Sequence, residues 1–313
     1  MILVSRDLRS DTGPVGPTRH DPVLVEEVVR TLATREKGWL VDATVGGGGH
    51  AVRLLRTSPG LRLLAIDRDA QAVRRARERL QPFGDRVEVV HAPFSGLEGL
   101  LPEEAQGRVV GIFADFGVSS DQLDDADRGF SFQEDGPLDM RMDRGTQKTS
   151  AAVLLAHASE DEIDAWLRDF GEERFSRRLA HAIVQSRRFG PLLRTSQLAD
   201  LVERTIPRGR RGIHPATRTF QALRIAVNRE LDEIEAFLQT GLRLLAPGGT
   251  MACISFHSLE DRPVKLAFRN EVRSGEFEDL LPRGVVASPE EVKRNPRARS
   301  ARLRAVRKGE GKD

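Results

Sequence analysis

Residues 22 to 35, PVLVEEVVRTLATR, place apolar side chains at helical intervals, which predicts a helix. Gly38 ends it ahead of a short apolar run, Trp39 to Val41, which reads as a strand. The run breaks into Asp42-Ala43-Thr44-Val45-Gly46-Gly47-Gly48-Gly49-His50, and AVRLLR then resumes helical spacing, so the glycines form a strand-to-helix turn. Leu61 to Ile66 is a buried-type strand ending on Asp67-Arg68-Asp69, followed by the helix AQAVRRARERL. The strand Val87 to Val90 leads into His91-Ala92-Pro93-Phe94, and Val109 to Ala114 is a further apolar strand that ends on Asp115.

Strands alternating with helices at this rhythm predict an α/β fold, a doubly wound, mostly parallel sheet. From about Asp127 to Arg224 the alternation stops. Only helical segments are found there, such as Asp161 to Phe170, Arg177 to Ser186 and Ser196 to Arg204. Residues 127–224 are therefore expected to form an inserted all-helical subdomain, between the two parts of the sheet domain at 20–126 and 225–313. Alternation resumes with one long helix, Leu223 to Leu245, a Pro247-Gly248-Gly249 turn and the strand Thr250 to Ser255. Two short strands are expected near Val285 to Ala287 and within Ala301 to Val306. No internal repeat is visible.

Composition narrows the class. At 313 residues with 39% hydrophobic and 31% charged, the chain is a soluble globular type, and no apolar run approaches the ~20 residues of a membrane span. Residues 1–19 lack the apolar stretch of a secretory signal and are expected to be a disordered tail, with cytoplasm as the default location. A lone cysteine, Cys253, excludes an intrachain disulfide framework and a multi-cysteine metal cage, and scattered His and Asp lack ligand spacing, so no metal is expected. The net charge of +2 hides an uneven distribution. Residues 172–218 hold eleven Arg against four acids, and residues 283–313 hold ten Lys or Arg against four, leaving the remainder acidic. Basic surfaces on an acidic body suit contact with phosphate, although the excess of Arg over Lys also fits compositional bias.

A glycine-rich turn after the first strand lets backbone N–H groups approach a ligand, and an acid ending the next strand can bond ribose hydroxyls. Gly46 to Gly49 and Asp67 fit both roles. Gly46-x-Gly48-x-x-Ala51 equally satisfies a dinucleotide fingerprint, so this loop leaves nicotinamide cofactors, S-adenosylmethionine and a plain tight turn all open. The strand ending in Asp115 and the Leu-Ala-Pro-Gly-Gly turn before a strand ending in Ser-Phe-His-Ser resemble class I (Rossmann-like) methyltransferases. In that fold Phe94 would wall the adenine, unless it is ordinary core.

Longer blocks are more specific. Asp115-Phe116-Gly117-Val118-Ser119-Ser120, Arg128-Gly129-Phe130-Ser131-Phe132, Asp135 to Met142 (DGPLDMRM), Gly171 to Phe175 (GEERF), His214 to Ala222 (HPATRTFQA), Ser255 to Arg262 (SFHSLEDR) and Asn295 to Ser300 (NPRARS) occur in one order. From His20 to about Arg307 the chain resembles the ribosomal RNA small subunit methyltransferase H family, the 16S ribosomal RNA cytosine-N4 methyltransferases. The resemblance implies S-adenosylmethionine as cofactor, contacts to it from Gly48, Gly49, His50, Asp67, Phe94, Asp115 and Gln122, a helical insertion, and a decoding-centre cytosine in the small subunit as target. It leaves a homodimer open. The sequence departs from the family at Asp121, where proline is usual, and at Phe116, where leucine is usual; the stretch from Arg269 to Glu290 is short.

The lone pair of a cytosine exocyclic amine is delocalised into the ring, so positioning should dominate its methylation, helped by an acceptor for the amine protons. Asp115 and the Ser119-Ser120 turn are the candidates for that spot, and His257 at a neighbouring strand end is a further one, or else ties down a loop. Methylation at carbon-5 would need a cysteine nucleophile, and Cys253 sits in an apolar run that reads as buried strand. For RNA, the stacking candidates are Phe130, Phe132 and Phe220, each of which could equally be core. The phosphate candidates are Arg208, Arg210, Arg211 and Arg218, with Arg297, Arg299, Arg302 and Arg304 alternating as on one face of an edge strand. The competing classes are a nicotinamide-dependent oxidoreductase and a ribosome-assembly factor that binds RNA without chemistry.

Overall fold

The computed structural model describes residues 22–33, 37–207 and 214–310, so the 1–19 segment and Arg208, Arg210 and Arg211 lie outside the described residues. Helix α1 (Val25–Leu32) leads to β1 (Gly38–Asp42), α2 (Gly49–Thr57), β2 (Leu61–Asp67), α3 (Ala70–Leu80) and β3 (Val87–His91). A short α4 (Leu97–Leu100) precedes β4 (Val109–Asp115) and α5 (Ser120–Asp124). Five helices follow without a strand: α6 (Ala151–His157), α7 (Glu160–Asp169), α8 (Ser176–Ser186), α9 (Thr195–Thr205) and α10 (Ala216–Asn228). The chain returns through α11 (Glu230–Leu244) to β5 (Leu245–Ser255), then α12 (Ser258–Ser274), β6 (Phe277–Asp279), β7 (Val285–Val286), α13 (Pro289–Arg294) and β8 (Arg302–Lys308).

The sheet order is β3-β2-β1-β4-β5-β8-β6, with β7 also on β8. The strands from β3 to β5 pair in parallel and β8 runs antiparallel to β5, which is the class I methyltransferase arrangement predicted from the alternation and the motifs. Successive residues in a strand face opposite ways, and in the central strands both faces are covered. Leu40, Leu63, Phe113 and Ala252 enter one core; their neighbours Val41, Leu64, Ile112 and Met251 enter the other. This explains why these strands read as continuous apolar runs rather than alternating ones.

A third core, from Phe130 and Leu138 through Ile163, Leu179 and Val202 to Leu223 and Val227, belongs to the helices between β4 and β5. One buried ion pair fastens it to the sheet. Arg128 donates to Asp69 at 2.7 Å with both side chains at most 4% exposed, and Gln122 Nε2 donates to the same carboxylate oxygen at 2.8 Å. The other Asp69 oxygen caps α3 by accepting from Gln71 N.

The long helix expected over Leu223 to Leu245 is two helices, broken at Arg229, whose φ of 51° lies in the left-handed region. Tertiary bonds make the break. Buried Asn228 accepts from Met142 N at 2.9 Å and donates to Met140 O at 2.7 Å, while its own carbonyl accepts from Arg68. A left-handed arginine costs on the order of 1 kcal/mol that glycine avoids. Arg229→Gly is therefore expected to stabilise the protein by about 1 kcal/mol in urea unfolding. A loss of stability would mean that the exposed Arg229–Asp232 pair matters more than such pairs usually do.

Candidate active site

The carboxyl ends of β1, β2 and β4 open into one cavity, at the point where strand order reverses between β1 and β4. Open α/β sheets bind ligands at this place. Its floor is the turn after β1, where Gly46 (φ 52°) and Gly48 (φ 76°) adopt backbone that other residues resist. Pro22 covers the turn so closely that a Cβ on Gly49 would stand 2.9 Å from its ring.

Gly49, His50, Asp67, Phe94, Asp115, Ser119 and Gln122, all expected from sequence, line this cavity together. Asp67 ends β2 and accepts from Gly46 N and Asp69 N, each at 2.8 Å, which fixes its carboxylate while leaving further lone pairs toward the cavity. Burial pushes its pKa up to about 6, with Asp69 adding to the rise and the two backbone bonds and Arg75 opposing it. Phe94 lines the cavity and packs edge-on against Phe237, ring centres 5.2 Å apart. Gln122 is held at both ends, accepting from Ser119 N and donating to Asp69, and Asp121 beside it pairs with Arg75 at 3.3 Å instead of supplying the usual proline ring.

Asp115 is the unusual group. Its Oδ1 is buried without a hydrogen-bond partner, and its Oδ2 stands 4.0 Å from His50 Nδ1. Burial first, then the charges of Asp42 and Glu260, raise its pKa well above the ordinary carboxylate range. His50 Nε2 lies 2.8 Å from the Val23 carbonyl, which only accepts, so Nε2 carries a proton and Nδ1 faces Asp115. Asp42, also buried and with its pKa pushed up to about 7 by desolvation, accepts from Thr44 N, and the Thr44 hydroxyl accepts from Asp115 N at 2.6 Å.

Other expected site residues sit elsewhere. Gly48 shapes the turn from behind, toward Leu80 and Arg79, without lining the cavity. Ser120 is buried in the first turn of α5. His257 is not brought to the lining: its Nδ1 accepts from Glu260 N at the start of α12, and its Nε2 meets buried Glu260 at 3.1 Å and Arg224 at 3.3 Å. It is the residue that ties down a loop. Phe130 and Phe220 are core, whereas half-buried Phe132 stacks on His214 with ring centres 4.5 Å apart.

The basic residues divide in the same way. Arg304 is locked by two bonds to Asp261, 2.6 and 2.9 Å, and Arg302 donates to the Arg283 carbonyl. The strand that carries them is no edge, because β8 has β5 on one side and β6 and β7 on the other. Arg297, outside that strand in a 3-10 turn, pairs with Asp124, and Arg218 donates to the Glu172 carbonyl; both remain exposed, as does Arg299. Sequence reasoning missed Met142 from the insertion and Glu230 and Ile234 from α11, which also line the cavity. Glu230 opens α11 directly after the break at Arg229 and is buried, accepting two bonds from Arg224, and no local pattern signals it.

A model of the MraW methylase family matches residues 17–309. The chain belongs to the MraW methylase family. Relatives of this methylase named ribosomal RNA small subunit methyltransferase H include one from Symbiobacterium thermophilum, 46% identical over 305 residues, covering 92% of this chain and 96% of the relative. Another, from Cyanothece sp., is 49% identical over 290 residues, covering 92% and 94%. TrmN from Thermus thermophilus, a solved structure, aligns over 91% of this chain and 48% of its own with a TM-score of 0.43 and 15% identity. Membership in a methylase family with the class I sheet makes this an S-adenosylmethionine-dependent methyltransferase and sets aside the nicotinamide reading. The cavity fits that cofactor through its glycine turn, whose positive-φ backbone leaves room for a ligand, and the Asp67 carboxylate. Among the described residues no helix is long and apolar enough to cross a membrane.

Proposed function

We propose that the chain methylates the exocyclic N4 amine of a cytosine in the decoding centre of 16S ribosomal RNA, acting in the cytoplasm on RNA within the small subunit. The observation that carries the choice of atom is the cavity's chemistry: its lining holds the Asp115 carboxyl group, 16% exposed, and no thiol. Cys253, the one cysteine, is 1% exposed within β5 and its pKa is pushed far up by burial, which is the wrong place and the wrong state for attack on carbon-5. A carboxylate accepting from the amine would orient it and favour a pyramidal nitrogen, with Ser119 at the adjoining loop. The names carried by relatives at 46 and 49% identity support ribosomal RNA as the substrate.

When bound, S-adenosylmethionine supplies an electrophilic methyl group. Asp67 would accept from its ribose, Phe94 would wall its adenine, and the turn from Gly46 to Gly49 with His50 would pass beneath it. Helices α6 to α10 would form the substrate-recognition part, with exposed Arg218, Arg297 and Arg299 toward phosphate.

The cofactor half is tested by thermal unfolding with ligands. S-adenosylhomocysteine at a hundredfold excess over Kd should stabilise by about 2.7 kcal/mol. NAD should not. Because ribose hydroxyls donate to the ionised form of Asp67, the stabilisation should weaken as pH falls through about 6. Equal protection by NAD, or protection unchanged from pH 8 to pH 5, would contradict these assignments.

A further inference from the structure

Phe189 is 94% exposed, the most exposed large apolar side chain among the described residues. It stands at the tip of a 3-10 turn, Arg187–Phe189, directly after α8, and Gly190 beyond it has open space around it. The tip is anchored. Arg187 Nε donates to the Leu155 carbonyl at 2.9 Å and its Nη2 to the Ala158 carbonyl, so the turn is pinned to α6 while the neighbouring ring points to solvent. The ring is thus held on a fixed support with nothing packed on it, and Leu193, four residues on, is also 56% exposed.

Phe189 heads a groove between α8 and α9, along Ala182, Gln185, Leu192, Leu201 and Arg204. Its charge balance selects the occupant. Arg188 is exposed beside the ring and Arg204 lines the groove; the acid within it is Asp200. Other acids of this basic stretch are engaged, Glu203 with His214 and Glu173 with Phe175 N. A fixed aromatic face flanked by arginines, with the Gln185 amide alongside, is how a single-stranded nucleic acid is held: a base stacks, cations take the phosphates, an amide meets a base edge.

We infer that Phe189 is a stacking platform for an unpaired base of the RNA substrate, away from the methyl-transfer cavity, with Arg188 and Arg204 on the adjoining phosphates. The inference rests on ribosomal RNA being the substrate. Stacking on an aromatic side chain is worth about 1–3 kcal/mol per base, roughly a 5- to 160-fold change in apparent affinity.

The test compares wild type with Phe189→Ala, Phe189→Leu and Phe189→Trp as full-length proteins on small ribosomal subunits lacking the modification. Expected are a KM for the subunit raised roughly 5- to 160-fold in Phe189→Ala, little change in kcat or in S-adenosylhomocysteine affinity, rescue by Trp and none by Leu. An unchanged KM in Phe189→Ala would overturn the platform while leaving the substrate assignment intact. Equal rescue by Leu would reduce the contact to simple apolar burial and overturn stacking. A change of sedimentation from dimer to monomer in Phe189→Ala would assign the ring to a second copy of the chain and overturn it too. Wild-type protein that methylates neither subunit nor RNA overturns the substrate reading and this inference with it.

Discussion

Arg128→Met should destabilise the protein by about 3–5 kcal/mol, because it leaves the Asp69 carboxylate buried without its charge partner. The site makes the loss hard to relieve. Asp69 is 3% exposed, and Arg128 also donates to the carbonyls of Arg141 at 3.1 Å and Met142 at 3.0 Å while lying over the Phe130 ring. One side chain thus holds the start of the insertion, the loop carrying Met142 into the cavity, and the β2–α3 turn. Gln122 depends on the same carboxylate, so cofactor affinity should fall along with stability. Urea unfolding of Arg128→Met, Asp69→Asn and the double variant separates pair from parts: the double change should cost clearly less than the sum of the single ones. A single-variant loss below about 1 kcal/mol would mean that the pair does not fasten the insertion.

Asp115→Asn should lower kcat by roughly 10²- to 10⁴-fold, the range for removing a positioned acid–base group, with a far smaller change in cofactor affinity. The amide keeps the shape and loses the charge. The pH profile gives the second readout. Wild-type kcat should fall on the acid side with a limb well above the usual carboxylate range, since burial and Asp42 raise the Asp115 pKa, and Asp115→Asn should lack that limb. Stability runs the other way. A carboxyl whose folded pKa is raised contributes stability below its unfolded pKa near 3.8 and loses it as pH climbs, so the burial of Asp42 is felt in full only above about pH 7. A wild-type acid limb that persists unchanged in Asp115→Asn would transfer the role to another group.

The sheet was legible because its central strands are covered on both faces, so β2 and β4 stand out as apolar runs ending on Asp67 and Asp115. The glycine turn was legible for a local reason: the positive φ of Gly46 and Gly48 demands glycine there. What could not be read depends on partners distant in sequence. The break at Arg229 has helical patterning on both sides and exists because Asn228 bonds residues 86 and 88 positions earlier. The alternating arginines after Asn295 have the period of an exposed strand, yet Arg304 is taken by Asp261, 43 residues away. His257 stands at a strand end, where catalytic groups gather, yet Arg224, 33 residues earlier on α10, meets its Nε2 at 3.3 Å. Asp69 gave no signal as the second acid of Asp67-Arg68-Asp69, since its importance lies in Arg128, 59 residues on.

The most direct test of the proposed chemistry is transfer of labelled methyl from S-adenosylmethionine to small ribosomal subunits lacking the modification, followed by mass analysis of the nucleosides. Label in N4-methylcytidine is the predicted result and would tie cofactor, substrate and target atom to this cavity. Protein that binds S-adenosylhomocysteine but places no label on subunits or on free 16S ribosomal RNA, or places it on carbon-5, would contradict it.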